Sequence, residues 1–178
     1  MSLRKRAFAA HADARTRVLI CGSLPGERSL AEQRYYAHPG NRFWQLVGAV
    51  IDCDLVALDY EARIARLLAV GIGLWDVVRS AERSGSLDAA IRNHEPSPLA
   101  PFADGLPGLR AIAFNGGTAA RIGRAQVSSE CLALVDLPSS SAAYAAMPFT
   151  EKRARWLVLR DFLDWRLPPP ASRPMARA

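Results

Sequence analysis

The sequence predicts a single α/β domain, a three-layer α/β/α arrangement around a central, mainly four-stranded parallel sheet. Three observations carry this. Short apolar, β-branched runs alternate with segments of helical periodicity, and each run stops at a loop rich in Gly, Pro or Ser. The chain, 178 residues with 50% hydrophobic side chains, is of a size to form one core. The expected organisation is a basic N-terminal segment over 1–16, the α/β/α domain over 17–167 and a disordered tail over 168–178.

Arg17 to Cys21 (RVLIC) is apolar and stops at Gly22-Ser23-Leu24-Pro25-Gly26, so it reads as a first strand opening into a loop. Asn41, an expected N-cap, precedes a helix with Phe43, Trp44, Val47 and Val50 at helical spacing. Asp59 to Leu68 reads as another helix, with Tyr60, Ile64, Leu67 and Leu68 on one face. After Gly71, the run Ile72 to Val78 reads as a second strand. Leu109 to Phe114 gives a third, ending at Asn115-Gly116-Gly117, where TAARIGR enters a helix. Cys131 to Leu137 gives a fourth, followed by Pro138 and three serines. A last helix is expected over Thr150 to Trp165, with Trp156, Leu159, Phe162 and Leu163 inward and Pro168-Pro169-Pro170 as its stop. Sheets of this kind bind ligands beyond the carboxyl ends of their strands, which singles out GSLPG, FNGG and LPSSS.

Composition removes several classes. The hydrophobic share is too high for a disordered polymer, and 12 Gly with 12 Pro exclude a collagen-like chain. Cys21, Cys53 and Cys131 form no CxxC or Cys/His pairing, so neither a disulfide framework nor a four-thiolate metal site is expected. Nothing calls for a metal or cofactor, and a cytoplasmic location fits the free thiols. No apolar run approaches the ~20 residues of a membrane span, so no membrane partner is expected. The net charge of +6 is concentrated at the ends. Residues 1–17 carry five basic groups and one acidic, residues 152–178 seven and two, leaving 11 basic and 14 acidic groups between them. Net charge alone therefore does not demand a polyanionic partner, although 21 arginines against 2 lysines suit bidentate phosphate contacts.

Common catalytic signatures are incomplete. Ser23 does not sit in G-x-S-x-G, and His11, His38 and His94 lack triad spacing. Gly71-Ile72-Gly73 precedes a strand where a dinucleotide fingerprint follows one, and Gly116-Gly117, without a P-loop lysine, reads first as a tight turn. Tyr35 to Trp44 (YYAHPGNRFW) stands out, gathering four aromatics, a histidine and an asparagine around Pro39-Gly40. Its plain reading is a core helix entry with tyrosines covering a loop.

Taken with Phe114-Asn115-Gly116 and Leu137-Pro138-Ser139-Ser140-Ser141, the GSLPG and YYAHPGNRFW segments resemble the uracil-DNA glycosylase superfamily, and within it the hypoxanthine-DNA glycosylase (DNA-deoxyinosine glycosylase) branch. Gly73-Leu74-Trp75-Asp76-Val77 and Gly85 to Asn93 look like this branch as well, and the resemblance spans roughly Val18 to Trp165. The superfamily's first motif usually has Asp or Asn third, positioning water, and its second often begins with His; here these positions are Leu24 and Leu137. In the hypoxanthine branch the asparagine of P-x-N-x-F-W is thought to substitute, which points to Asn41. Ala142-Ala143-Tyr144 stands where the branch often has Pro-Ala-Asn.

The resemblance implies a monofunctional DNA glycosylase that hydrolyses the N-glycosidic bond of hypoxanthine, uracil or xanthine and leaves an abasic site. Asn41 would position the water, and Ser139 and the Ser23 N–H would donate to the departing base. The extruded base would stack on Phe43 and pair with the Asn115 amide, with Leu24 and His38 beside it. Ser140, Ser141 and Tyr144 would contact DNA. The two lysines, Lys5 and Lys152, lie outside these motifs, so no amine is placed for a lyase step. The expected partner is DNA containing deaminated bases, bound by a monomer. Two other readings stay open: a catalytically weak binder of uracil-containing or abasic DNA, and a small-molecule nucleotide binder with no DNA role.

Overall fold

The strand at Val18–Gly22 is buried along its whole length because helices cover the sheet on both sides. Val18 and Ile20 face one apolar cluster, Leu19 and Cys21 the other, as the period of two requires. The computed structural model describes residues 4–128, 130 and 132–164, so Cys131, Trp165 and the tail expected over 168–178 lie outside the described residues. In chain order the elements are β1 (Arg4–Arg6), β2 (Val18–Gly22), α1 (Glu27–Glu32), α2 (Phe43–Val50), α3 (Tyr60–Ala69), β3 (Ile72–Asp76) and β4 (Val78–Glu82). Then come β5 (Arg92–Pro96), α4 (Leu99–Asp104), β6 (Ala111–Asn115), α5 (Gly117–Arg124), β7 (Ala133–Leu137) and α6 (Phe149–Trp156).

Strands β3, β2, β6 and β7 pair in that order, all parallel, with Ile20 opposite both Leu74 and Ala113. Helices α2, α3 and α6 supply Phe43, Leu67 and Trp156 to one face, and α4 and α5 supply Leu99 and Ile122 to the other. The three-layer α/β/α expectation is met. Asp59 caps α3 by accepting from the Ala62 N–H at 2.8 Å.

Several local expectations are corrected. The apolar run Ile72 to Val78 is not one strand: β3 ends at Asp76, and β4 belongs to a second, antiparallel sheet of order β1-β4-β5. The Val77 and Val78 N–H groups donate to the Gly22 and Ser23 carbonyls, so the chain leaves the main sheet along the first loop. Hydrophobicity is continuous across that break, which hides it from periodicity. The last helix is also shorter than expected. After α6 the chain tightens into a 3-10 turn over Leu157–Phe162, where Arg160 donates to the Ala49 and Val50 carbonyls at 2.7 and 2.8 Å and docks on the end of α2. By backbone conformation Arg42, not Asn41, is the N-cap of α2, although the Asn41 Oδ1 accepts the Phe43 N–H at 2.9 Å. The basic N-terminal segment is tied into the fold, with Arg4 meeting Glu95, Lys5 meeting Glu27, and Arg17, together with Arg110, converging on Asp164. No helix among the described residues is long and apolar enough to cross a membrane.

Candidate active site

A cavity of about 450 Å³ opens beyond the carboxyl ends of the parallel strands, and all three loops singled out in the sequence reach it. GSLPG lines it through Gly22 to Gly26, FNGG through Asn115, and LPSSS through Ser139, Ser140 and Ser141, continuing to Tyr144. Tyr35, Tyr36, His38 and Asn41 enter from the aromatic segment, and Asp76 and Asp88 from beside GSLPG.

On the GSLPG side, Asp76 ends β3 opposite Gly22 and is 3% exposed. A Cβ on Gly22 would lie 2.7 Å from the Asp76 Oδ1 and 3.3 Å from the Tyr36 hydroxyl, so only glycine leaves room for both groups. Asp76 Oδ2 and the Tyr36 hydroxyl are both buried and hydrogen-bond to no described residue. Burial pushes the Asp76 carboxyl up to about 7; Asp88 adds to this, while the Tyr35 hydroxyl and Arg83 oppose it. Next to it the Ser23 hydroxyl donates to Asp88 Oδ1 at 2.6 Å, and burial raises the Asp88 carboxyl too. Arg83, 2% exposed, stitches this wall together, donating to the carbonyls of Leu24 and Gly85 at 3.1 Å each and to that of Pro25.

On the serine side the polar groups pair with one another. The Asn115 Oδ1 accepts the Ser140 N–H at 2.9 Å, its Nδ2 donates to the Ser140 Oγ at 2.8 Å, and the Ser140 carbonyl accepts the Arg42 N–H at 2.9 Å. One buried serine thus joins β6, the segment entering α2 and its own loop. The Ser139 Oγ accepts the Ser141 N–H and the Ser141 Oγ accepts the Ala143 N–H, both at 3.2 Å; this leaves both hydroxyl protons uncommitted. Gly116, at φ 101°, brings the chain so close that a Cβ there would lie 3.1 Å from the Ser139 Cβ. Trp156 on α6 fastens the loop by donating to the Pro138 carbonyl at 3.0 Å.

The expected site residues fall into three groups. Ser23, Leu24, His38, Asn41, Ser139, Ser141 and Tyr144 line the cavity. His38 holds its own turn, its Nδ1 accepting the Gly40 N–H at 3.0 Å. Phe43 does not line it: it is fully buried beneath Tyr36, the rings stacked 3.7 Å apart and 8° from parallel, so Tyr36 presents the aromatic surface expected of Phe43. Ser140 and Asn115 reach the cavity wall, but Ser140 is 1% exposed, its hydroxyl oxygen, N–H and carbonyl each held by a hydrogen bond within the fold, so its position is a structural one. One acceptor site of the Asn115 carbonyl and one of its two N–H groups are committed to Ser140, which fixes the orientation of the amide and leaves a single N–H and a single lone pair beyond those bonds. Leu137 is 4% exposed and packs in the core.

Asp76, Asp88, Tyr36 and Arg83 were not singled out from the sequence. The available signal was a lone acid inside the otherwise apolar run Ile72 to Val78, and the place of Asp76, Asp88 and Tyr36 within segments that carry the resemblance. Among the described residues no group of three or more His, Cys, Asp or Glu side chains is arranged to hold a metal.

Known proteins share this architecture. Two archaeal proteins named hypoxanthine DNA glycosylase align with the chain. The one from Methanosarcina barkeri is 40% identical over 114 residues, covering 64% of this chain and 72% of its own. The one from Methanosarcina acetivorans is 43% identical over 112 residues, covering 63% and 71%. The solution NMR structure of a candidate uracil DNA glycosylase from Methanosarcina acetivorans superimposes with a TM-score of 0.80 at 36% identity, over 90% of this chain and 99% of that one. Residues 9–162 also match the profile of the uracil DNA glycosylase superfamily, and this protein belongs to that superfamily.

Proposed function

We propose that the protein is a monofunctional glycosylase that hydrolyses the N-glycosidic bond of hypoxanthine, and of uracil, in DNA. The observation that carries this reading is the buried Asp76 carboxyl, whose Oδ2 has no hydrogen-bond partner, close to the Tyr36 hydroxyl in a strand-end pocket. With its carboxyl held near neutrality, Asp76 is available as a neutral acid, which has one O–H donor and one carbonyl acceptor. Hypoxanthine and uracil both present a ring N–H beside a keto oxygen, and a neutral carboxyl matches that edge with two hydrogen bonds. Asp76 therefore takes the edge-reading role that the sequence suggested for Asn115, and Tyr36 the stacking role suggested for Phe43. The names of the archaeal relatives support hypoxanthine as a substrate.

Breaking the C1′–N bond sends its electron pair to the base and leaves positive charge on the sugar. The Ser139 hydroxyl and the Ser23 N–H lie on the walls where they would donate to the departing base; one such donor is typically worth about 3 kcal/mol. Asn41 orients the attacking water. Its Oδ1 bond to the Phe43 N–H fixes the side-chain rotamer, and an amide is too weak a base to do more than position. Neither lysine ammonium lines the pocket, which supports hydrolysis without a lyase step.

The test uses short duplexes carrying one hypoxanthine or one uracil, limiting enzyme, and alkaline cleavage of the abasic product before denaturing electrophoresis. Multiple turnovers with breakage only after alkali support the reading. Breakage without alkali overturns the monofunctional part, and tight binding with no breakage favours a catalytically weak binder.

A further inference from the structure

Hydrolysis leaves one proton without a destination. Water adding to the sugar must shed a proton, and the Asn41 amide orients that water without being basic enough to take it. Two carboxyls line the pocket, in different surroundings. Asp76 is deeply buried, and its Oδ2 hydrogen-bonds to no described residue. Asp88 is half-buried in a short 3-10 turn, Asp88–Ala90, where its Oδ1 accepts the Ser23 hydroxyl at 2.6 Å. That is the one hydrogen bond described at this carboxyl, which leaves Oδ2 for another donor. Burial raises the Asp88 carboxyl and so makes it a better proton acceptor than a surface aspartate, while the Ser23 hydroxyl and the charge of Arg83 oppose the rise and favour the carboxylate. The titratable and charged groups that act on Asp88 are Asp76, Tyr36 and Arg83. Glu27 and Lys5 stand one contact further out, Glu27 acting on Arg83 and Lys5 joining Glu27 to the Gly85 carbonyl. Two carboxyls whose surroundings favour different protonation states can divide donor and acceptor duties.

We propose that Asp88 is the general base of the reaction, its Oδ2 taking the proton of the attacking water, and that Ser23, through the hydroxyl bond to Oδ1, is its positioning residue. This rests on the pocket being a base-excision site. The step balances within the site. The electron pair of the C1′–N bond leaves with the base, a lone pair of the water oxygen forms the new C1′–O bond, and the water proton moves to Asp88, from which it passes to the released base or to solvent. Asn41 and Asp88 thereby share one water, the amide setting its direction and the carboxylate removing its proton. With Oδ1 tied to Ser23, the plane of the carboxylate is fixed against the GSLPG loop, which also carries the Ser23 N–H aimed at the departing base. Arg83, 2% exposed, holds the same loop through the Leu24 and Pro25 carbonyls, so base and donor are mounted on one rigid wall.

The test is the pH profile of single-turnover excision from a hypoxanthine duplex, read beside binding of a duplex whose hypoxanthine nucleotide carries a 2′-fluorine, which withdraws electrons from the sugar and blocks cleavage. Asp88→Asn keeps the shape of the side chain and an acceptor for Ser23 but removes the basicity. It is expected to lower the plateau rate about a hundredfold, to abolish the acid limb of the profile and to leave the Kd of the fluorinated duplex unchanged. Ser23→Ala is expected to keep the acid limb but move it to higher pH, because the bond that favours the carboxylate is gone. Formate, a small carboxylate, should restore part of the rate of Asp88→Ala and leave the wild-type rate as it was. If Ser23 and Asp88 only pin the turn to the loop, Asp88→Asn weakens binding together with the rate and keeps the acid limb, and formate restores nothing; that result overturns the proposal. Should Asp88→Asn lose its fold, Ser23→Ala carries the test, and an acid limb that stays in place overturns it. Failure of the glycosylase reading looks different: the wild type would release no base at any pH.

Discussion

The two walls of the pocket differ in how fully their polar groups are used. On the serine side, Asn115, Ser140 and the Arg42 N–H satisfy one another across three separate chain segments. On the GSLPG side, Asp76 Oδ2 and the Tyr36 hydroxyl are buried with no hydrogen bond to a described residue. A buried polar group left unpaired costs about 1–3 kcal/mol, and the Asp76 wall carries two such groups. The serine wall is completed by the fold, whereas the Asp76 wall keeps the unpaired atoms that the proposed reading of the base requires.

Substitutions at each wall sharpen or break this contrast. The largest expected effect is on Asp76→Leu, which removes both donor and acceptor and should lower kcat/KM by roughly ten-thousandfold, the scale on which a site built to hydrogen-bond a ligand loses discrimination without that bond. Asp76→Asn keeps a donor and an acceptor and should retain most of the activity; equal losses in the two variants would mean that Asp76 does not read the base. Ser139→Ala, which removes one donor from the opposite wall, should cost about a hundredfold in single-turnover rate.

Next in size is a stability effect on the satisfied wall. Asn115→Ala strands the Ser140 N–H and hydroxyl and should destabilise the protein by about 2–3 kcal/mol in urea unfolding. An unchanged midpoint would show that the serine loop is held by Trp156 without Asn115.

The pH dependence of the other wall carries the opposite sign. The Asp76 carboxyl is raised to about 7, while an unfolded aspartate titrates near 3.9, so the native state keeps this proton longer. Its contribution to stability is fully present below the unfolded value and is lost as pH rises to about 7. Asp76→Asn should therefore gain stability relative to the wild type at pH 8 and show little gain at pH 4. The same proton predicts that wild-type kcat/KM falls above about pH 7, where Asp76→Asn stays flat. Burial pushes Cys21, Tyr35 and Tyr36, which interact with Asp76, upward, away from that window; Asp88, also raised by burial, is controlled for with an Asp88→Asn variant. The smallest effect is at Tyr36→Phe, which deletes an unpaired hydroxyl and should stabilise the free protein by about 1 kcal/mol; a large rise in KM in the same variant would add that hydroxyl to the substrate contacts.

Much of the main sheet was readable locally. Alternating apolar residues such as Val18 to Cys21, and stops such as Gly22 to Gly26, act over a few residues, so the parallel strands and the loops at their ends follow from short-range pattern. The second sheet was not readable. Its strand β5 is exposed at every residue and carries no apolar alternation, and β1 is three basic residues whose strand character comes from pairing with β4. At the site, Asn41 and Ser139 line the cavity, as motif and position at strand-end loops lead one to expect, whereas Phe43 packs in the core, because an aromatic at a helix start looks the same in sequence whether it faces core or cavity.

The sequence by itself determined the order of the parallel strands along the chain, the three loops that meet at their carboxyl ends and the superfamily those loops resemble, since each depends on neighbours a few positions away. Only the tertiary structure decided which polar atoms are already spent and which remain for a ligand. Asn115 loses its free amide to a serine 25 residues further along the chain, and Ser23 gives its hydroxyl to an aspartate 65 residues away. Asp76 keeps one carboxylate oxygen, Oδ2, without a hydrogen bond because no polar group of the surrounding elements is packed against it. Hydrogen-bond satisfaction and desolvation are properties of packing, and packing brings together residues whose spacing in sequence carries no trace of their contact.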